Sequence, residues 1–163
     1  MDDVQIRREA LDGPVASQLI DELQAEFVAR YGGRDDSPLT AAALAPPTGD
    51  FLVGYRDGRP VACGGIRRIE PSVAELKRMY VVADQRRGGM ARRLLAALER
   101  AAADLGYTTI RLETGTAQPE AMALYASSGY QPITNFGYYA CQPLSRSFEK
   151  ALPPTLPATG VDA

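Results

Sequence analysis

The chain has 163 residues, a length that suits one domain able to bury about two-thirds of its unfolded surface without metal ions or disulfides. Its 18 basic and 20 acidic residues give a net charge of −2, which excludes the basic footprint of a nucleic-acid binder and the polybasic segment of a membrane anchor. Histidine is absent, which excludes Ser-His-Asp and Cys-His catalysis and His-ligated zinc. Acid–base chemistry must therefore use Glu, Asp, Tyr, Cys, Lys or the backbone.

The first fifty residues predict one strand, one helix and a loop. Residues 4–9 alternate as a strand does, and Gly13-Pro14 opens an amphipathic helix that runs to about Arg30. The apolar residues of this helix recur every four positions, at Val15, Leu19, Leu23 and Phe27. Residues 31–49 collect glycine and proline, so they predict a loop that holds at most one brief helix.

The middle of the chain predicts an antiparallel meander followed by a long helix. Residues 51–55 and 60–68 have strand patterns, and Asp57-Gly58 between them is typical of a hairpin turn. A further strand is predicted at about 73–82. The apolar period then changes to that of a helix, which ends near Gly106.

The last third predicts a strand at 108–113, a helix from Gln118-Pro119 to Gly129, and late strands at 130–133 and 148–152. This order of elements indicates an α/β domain with a mixed sheet, and no internal repeat is present. We expect one domain over residues 1–152. The proline-rich, weakly apolar segment 153–163 predicts a disordered tail.

The junction after residue 82 carries the clearest chemical signal, because a strand there runs into a glycine-rich turn. The turn reads Arg86-Arg87-Gly88-Gly89 and a long helix follows. A helix start presents unpaired N–H groups and the positive end of the helix dipole, and glycine lets a phosphate approach the backbone. Arg92 and Arg93 add positive charge, so the turn predicts a pyrophosphate site. The alternative is a capped, solvated turn that binds nothing.

Two segments carry a pair of motifs with fixed spacing. Residues 75–81 read E-L-K-R-M-Y-V, and the turn after them has Arg86, Gly89 and Ala91 in the spacing R-x-x-G-x-A. Residues 118–130 end in L-Y-A-S-S-G-Y. These segments resemble the acetyl-CoA turn, Q/R-x-x-G-x-G/A, and the second motif, L-Y-x-x-x-G-F/Y, of the GNAT superfamily of N-acetyltransferases. The resemblance covers residues 51–152, and the first fifty residues match the family only in layout.

The resemblance implies a GNAT fold, in which a mixed, mostly antiparallel sheet has helices on both faces and two central parallel strands splay apart. It implies direct transfer of acetyl from acetyl-CoA, a co-substrate used without a metal, to a primary amine of a small molecule in a ternary complex. The residues that it implies for binding acetyl-CoA are Met79, Tyr80, Val81, Arg86, Arg87, Gly88, Gly89, Met90, Ala91 and Arg92.

A base is useful in such a reaction, because an alkylamine with a pKa of about 10.4 leaves only about one molecule in a thousand nucleophilic at pH 7. Glu75 falls where histone-acetylating members of the family carry their catalytic glutamate, so the resemblance makes it the first candidate base. Its alternative role is an ion pair with Lys77 or Arg111 across the sheet. Glu113 and Glu26 are secondary candidates.

The departing thiolate of CoA needs a proton or a hydrogen-bond donor, and the resemblance assigns this role to Tyr125. The alternative is that Tyr125 only packs its helix against the sheet. A backbone N–H around residues 79–81 would stabilise the tetrahedral oxyanion where the parallel strands splay at a bulge. Phe136, Tyr138 and Tyr139 either line the acceptor pocket or cover the sheet edge.

Four basic residues on adjacent predicted strands bear on the acceptor: Arg67, Arg68, Lys77 and Arg78. If some of them face the cleft, they favour an acceptor with a carboxylate, such as an amino acid. Otherwise they are exposed on the outer face of the sheet. A different class of function is a non-catalytic acyl-CoA-binding sensor or partner module with the same fold, and Glu75 and Tyr125 argue against it.

Cysteine usage and the chain start bear on location. Cys63 and Cys141 lie far apart without a C-x-x-C spacing, which is typical of a reducing compartment. Residues 1–4 have neither a basic nor an apolar signal, and no apolar run is long enough to cross a membrane. We expect a cytoplasmic protein with no membrane and no nucleic-acid partner. A homodimer is compatible with this sequence.

Overall fold

The structure, a computed structural model, describes residues 3–154 and is built on a seven-stranded sheet. The strands are β1 (Val4–Arg8), β2 (Asp50–Arg56), β3 (Arg59–Glu70), β4 (Val73–Val81), β5 (Thr109–Gly115), β6 (Gln131–Ile133) and β7 (Ser145–Ala151). They lie in the order β1-β2-β3-β4-β5-β7-β6. Each neighbouring pair is antiparallel except β4 and β5, which are parallel. The predicted mixed, mostly antiparallel sheet is confirmed.

The three predicted helices are present as α1 (Pro14–Tyr31), α2 (Met90–Asp104) and α3 (Pro119–Ser127). Two short 3-10 helices accompany them, at Ala42–Leu44 and Ala83–Gln85. The first is the brief helix expected within the loop 31–49, and the second was not predicted. Within residues 3–154, no helix combines the length and the apolar character that crossing a membrane requires. The predicted tail lies outside the described residues from position 155 onward.

Helices cover both faces of the sheet, as the family resemblance implied. On β3, a Cβ at Gly64 would lie 2.8 Å from Leu98 of α2. A Cβ at the next residue, Gly65, would lie 3.0 Å from Leu44 of the first 3-10 helix. Because successive strand residues point to opposite faces, these two helices lie on opposite sides of the sheet.

The core lies along β2 and β3, the strands that are covered on both faces. Six successive residues of β2, 50–55, are buried, and so are 61–66 of β3. A strand buried on both faces is expected to show such a continuous run rather than alternation. From one side, α2 inserts Leu94 and Leu98, which are fully buried. The core therefore anchors β3, the strand with which β4 pairs.

The late strand β7 differs from the prediction. It begins at Ser145 instead of the predicted Phe148, although Ser145-Arg146-Ser147 is polar. The segment is a strand because all three residues pair with β5, and Ser147 also pairs with Ile133 of β6. Tertiary pairing here outweighs the local preference for a loop.

Candidate active site

A cavity of about 400 Å³ opens in the middle of the sheet, between β4 and β5. The two parallel strands pair only along 73–75 and 109–111, and the last pair is Glu75 with Arg111. Past that point residues 76–79 of β4 and 112–115 of β5 line the cavity and no longer pair with each other. The end of α1, part of α3 and the loops after α1 and before β7 enclose the rest. The predicted splay of the central parallel strands is confirmed.

A β-bulge shapes the β4 wall of this cavity. One residue of β3, Gly64, faces two residues of β4, Arg78 and Met79. Arg78 has φ +57°, a left-handed conformation that is uncommon for a residue with a side chain. Its guanidinium forms an ion pair with Asp35 and donates to the backbone oxygen of Ser37 at 3.2 Å. The loop after α1 therefore holds the bulge in place.

Glu75 belongs to the last parallel pair and is buried. Its Oε1 accepts a hydrogen bond from Nε of Arg67 at 3.0 Å and lies 2.9 Å from a second nitrogen of the same guanidinium. The partner is thus neither Lys77 nor Arg111, the two considered from the sequence. The antiparallel register places Arg67 directly opposite Glu75, and two other glutamates engage Arg111. Glu75 lines the cavity as a carboxylate held by a cation.

Glu113 lines the same cavity from β5. Its Oε2 is buried and has no hydrogen-bond partner within residues 3–154. Burial raises the pKa of Glu113 to about 7, although Lys77 opposes this shift, and the nearby Glu75 and Asp35 reinforce it. A carboxyl group with this pKa exists in both protonation states near neutral pH, which suits proton transfer.

The four basic residues considered for the acceptor divide into three kinds. Lys77 and Arg78 line the cavity, Arg67 is engaged with Glu75, and Arg68 is exposed and bonds to Pro71. Lys77 is buried and donates from Nζ to the Ser37 hydroxyl at 2.9 Å. Burial lowers the pKa of Lys77, and the nearby Glu75 and Asp35 partly offset this effect. The cavity therefore contains a cation in a poorly hydrated position.

Tyr125 reaches the cavity from α3 and is 7% exposed. Its hydroxyl lies 3.9 Å from Sδ of Met79, on the bulge, in donor geometry. Burial raises the pKa of Tyr125, so its hydroxyl keeps its proton at neutral pH. The ring also contacts Tyr130 edge-on at 5.7 Å and Phe148 at 6.4 Å, so the predicted packing role is present as well.

The remaining aromatic candidates have separate places. Tyr139 lines the cavity, and its hydroxyl donates to Asp35 at 2.9 Å. Tyr138 is 59% exposed and contacts the ring of Tyr139 edge-on at 4.8 Å. The ring centroid of Phe136 lies 6.0 Å from the guanidinium carbon of Arg111. Of the three, Tyr139 is the one that the structure brings to the cavity lining.

The glycine-rich turn lies just past the cavity, where β4 leads into α2. Arg86 turns back from it: Nε donates to the oxygen of Val81 at 2.8 Å, and a second nitrogen pairs with Glu26 at 2.7 Å. Arg87 is exposed, with φ +69°. Arg92 is exposed and donates to the hydroxyls of two serines at the end of α3, Ser127 and Ser128. Arg87 and the exposed Gly88 face solvent at the start of α2.

Several of the predicted cofactor-binding residues offer only their backbone. The side chains of Tyr80 and Val81 are buried, and Ala91 is half-buried. Met90 is fully buried, with Sδ 3.1 Å from where a Cβ would stand at Gly54 of β2. Its N–H belongs to the first turn of α2, whose amides have no intrahelical partner. The helix start therefore presents backbone donors above a closed core.

Sequence reasoning missed several residues of this site, among them Asp35, Ser37 and Gln118. Asp35 and Ser37 bond to Arg78, and Ser37 also bonds to Lys77, yet both come from a loop without periodicity. Gln118, recognised only as a helix start, lines the cavity and donates to the hydroxyl of Tyr31 at 3.1 Å. The turn-forming D-D-S-P of residues 35–38 was the available signal for the loop.

Comparisons with known proteins bear directly on this arrangement. The family model described as Acetyltransferase (GNAT) family matches residues 16–130. The chain is 37% identical over 153 residues to an IAA acetyltransferase of Azospirillum brasilense, an alignment that covers 93% of this chain and 100% of that protein.

Solved structures agree. A protein assigned as an acyl-CoA N-acyltransferase from Klebsiella pneumoniae superposes with a TM-score of 0.80 at 34% identity, over 91% of this chain and 97% of that one. A GNAT family acetyltransferase from Elizabethkingia anophelis with acetyl-CoA bound has a TM-score of 0.65 at 13% identity, over 91% and 98% of the two chains, and shares the fold. Together with the matched family model, these relatives show that the chain belongs to the GNAT family of acetyltransferases.

Proposed function

We propose that the protein transfers the acetyl group of acetyl-CoA to a primary amine of a small molecule by direct attack in a ternary complex. The observation that carries this proposal is the end of the parallel ladder at Glu75 and Arg111, past which β4 and β5 enclose a cavity next to the start of α2. An acyl-pantetheine arm needs such an opening through a sheet. The bound acetyl-CoA of the Elizabethkingia relative supports the choice of donor.

The CoA moiety would lie along the end of β4 and the start of α2. Met79 to Val81 would contact the pantetheine through their backbone, and Arg87 to Arg92 would receive the pyrophosphate on the backbone N–H groups of the first turn. Arg86 would act differently from the sequence expectation, because its guanidinium is already engaged by Val81 and Glu26. Its role would be to fix the turn against β4 and α1.

Tyr125 would act on the leaving group. Its hydroxyl lies beside Met79 at the bulge and keeps its proton at neutral pH. It could therefore donate to the sulfur as the C–S bond breaks, when negative charge develops there. A backbone N–H at the bulge would stabilise the oxyanion of the tetrahedral intermediate.

The acceptor would enter from the side of the cavity lined by Phe27, Tyr31 and Tyr139, whose rings favour an amine with an apolar body. Lys77, buried at the cavity, favours a carboxylate on that acceptor. An amino-acid-like amine combines both features. The name of the Azospirillum relative adds IAA to the compounds to be offered.

The test is an acceptor screen with acetyl-CoA, followed both by thiol release and by mass spectrometry of the acceptor. The panel holds aromatic and aliphatic amino acids, IAA, polyamines and aminoglycosides. We expect amine-dependent thiol release with a matching gain of one acetyl group on an amino-acid-like acceptor. Turnover confined to polycations would overturn the acceptor class. Tight binding of acetyl-CoA without turnover on any member would favour an acyl-CoA sensor.

A further inference from the structure

We propose that Glu113, and not Glu75, is the base that removes the proton from the acceptor amine. The inference rests on the proposed function and deepens it. Both carboxylates line the cavity, so the choice between them depends on what else each one contacts. Glu75 is buried with its carboxylate held by two nitrogens of Arg67. Glu113 has a buried oxygen that bonds to no group of the described chain.

The position of Glu113 on β5 places it on the side of the sheet opposite the leaving-group donor. Leu112 is opposite Phe148 in the ladder, and the ring of Tyr125 contacts Phe148, so Leu112 and Tyr125 share one face. Glu113 follows Leu112 and points to the other face. Leu112 and Glu113 both line the cavity, so the cavity reaches both faces of the sheet at this point. A base beside the amine and an acid beside the sulfur fit addition of the amine to the carbonyl carbon, followed by loss of the thiolate from the tetrahedral intermediate.

A second buried polar atom without a partner lies next to Glu113. Ser147 is directly opposite Glu113 in the β5–β7 ladder, and its Oγ has no hydrogen-bond partner within residues 3–154. Unpartnered polar atoms are rare in protein interiors and call for an explanation. Two of them on directly opposed residues, of which Glu113 lines the cavity, mark a place that is built to bind a polar group, such as an ammonium.

The charged and titratable groups around Glu113 come from each element packed against it. Glu75 and Lys77 face it from β4, and Asp35 faces it from the loop after α1. The backbone N–H of Tyr139, in the loop before β7, faces the Glu113 carboxyl and favours its charged form. The two acidic neighbours make a further negative charge on Glu113 unfavourable, and Lys77 opposes them.

The proton balance of the step is complete without a further reactant. An ammonium R–NH3+ gives its first proton to the Glu113 carboxylate, and the resulting amine attacks the thioester carbon. The C–S bond of the tetrahedral intermediate then breaks. The second proton lost by the nitrogen ends on the CoA sulfur through Tyr125, and Glu113 returns the first to solvent. The products are the acetamide, CoA thiol and one free proton.

The experiment measures kcat/KM against pH for Glu113→Gln and Glu75→Gln, with acetyl-CoA and the fastest amine of the acceptor screen. The wild type should lose activity below an apparent pKa of about 7. For E113Q, kcat/KM should show no midpoint near pH 7 and should be about 100-fold below the wild-type value at that pH. It should rise again as the pH approaches the pKa of the amine. E75Q should keep an acid limb, with its midpoint moved to lower pH, because the charge of Glu75 helps to raise the pKa of Glu113. Glu149→Gln makes the same chemical change on β7 outside the cavity lining and controls for altered sheet charge.

A second arm replaces the amine with one whose pKa lies below 7, which is already unprotonated at neutral pH. E113Q should then approach the wild-type rate, which a merely structural defect would not allow. An unchanged acid limb in E113Q, or its loss in E75Q, would overturn the assignment of the base. Absence of amine-dependent thiol release in the wild type would instead contradict the proposed function, and the inference about Glu113 would fall with it.

Discussion

The Tyr125 hydroxyl on α3 lies 3.9 Å from Sδ of Met79 on the β4 bulge, across the opening between β4 and β5. This contact connects the second sequence motif to the first. It aims a protonated hydroxyl at the backbone segment where the thioester of acetyl-CoA would lie. The two motifs that the sequence offers separately are therefore parts of one site.

Tyr125→Phe should lower kcat about 100-fold while changing the Kd for acetyl-CoA less than about twofold, because the hydroxyl acts on charge present only as the thiolate leaves. Stopped-assay kinetics and calorimetry measure the two quantities. Tyr130→Phe is the matched control, since that buried ring packs on Tyr125 but its hydroxyl donates to Glu99 at 2.9 Å. Equal losses of kcat in Y125F and Y130F would mean that Tyr125 contributes by packing and that its hydroxyl has no special role in catalysis.

Gly89→Val should weaken acetyl-CoA binding at least about tenfold. Gly89 precedes α2 with φ +86°, so a β-branched side chain there strains the turn and covers its N–H groups. Gly58→Val is the control, because Gly58 has φ +82° in the β2–β3 turn, away from the cavity. Both variants should lose about 1–3 kcal/mol of stability, but G58V should bind acetyl-CoA normally. A normal Kd in G89V would show that the turn does not hold the cofactor.

Asp35→Ala should lower the free energy of unfolding by about 3 kcal/mol, because it leaves the Arg78 guanidinium buried without its carboxylate partner. Asp84→Ala breaks an Arg–Asp pair whose two side chains are 64% and 53% exposed, and should change stability by less than about 0.5 kcal/mol. Urea denaturation compares the two variants. Similar small losses would mean that the bulge does not depend on Asp35.

The pH dependence of Asp35 has a defined sign. Burial alone would raise its pKa, but the hydrogen bond from Ser37 and the charges of Arg78 and Lys77 leave the pKa of Asp35 lowered. Its carboxylate therefore contributes stability above the unfolded pKa, and that contribution is lost as pH falls through the lower folded value. D35A should show a weaker loss of stability on acidification than the wild type.

Glu113 should give the opposite slope. Its pKa rises from an ordinary value of 4.5 to about 7 in the folded protein, so between these values the native state holds a proton that the unfolded state releases. Stability therefore falls as pH rises from about 5 to 7. Unfolding in urea at pH 5 and pH 8 should show E113Q gaining about 1 kcal/mol on the wild type at the higher pH, after allowance for partial exposure. If the free energy of unfolding changes equally with pH in E113Q and in the wild type, the pKa of Glu113 lies near its ordinary value.

The sequence predicted the fold well where local signals agree with tertiary packing. Asp57-Gly58 marks the hairpin between β2 and β3, where both residues have positive φ, and Gly106 marks the end of α2. The three residues added to β7 were not predictable, because Ser145-Arg146-Ser147 becomes a strand only by pairing with β5 and, at Ser147, with β6. Local pattern carries no information about such pairing.

For the site, the sequence identified candidate residues but not the groups to which they bond. Glu75 was selected from its motif, but its partner Arg67 follows from the register of β3 against β4. The shifted pKa of Glu113 depends on burial by segments remote in sequence. Asp35 comes from a loop whose fold is fixed by Gln24, which bonds to its backbone N–H and oxygen. These relationships are tertiary and have no counterpart in a local motif.

The opening between β4 and β5, together with the start of α2, is the proposed acetyl-CoA site, and every role assigned above depends on it. Calorimetric titration of the wild-type protein with acetyl-CoA, and separately with ATP, is the decisive test. We expect micromolar binding of acetyl-CoA with one molecule per chain and far weaker binding of ATP, because the cavity selects the acyl-pantetheine arm as well as the phosphates. Failure to bind acetyl-CoA, or equal affinity for ATP, would contradict the assignment of this site.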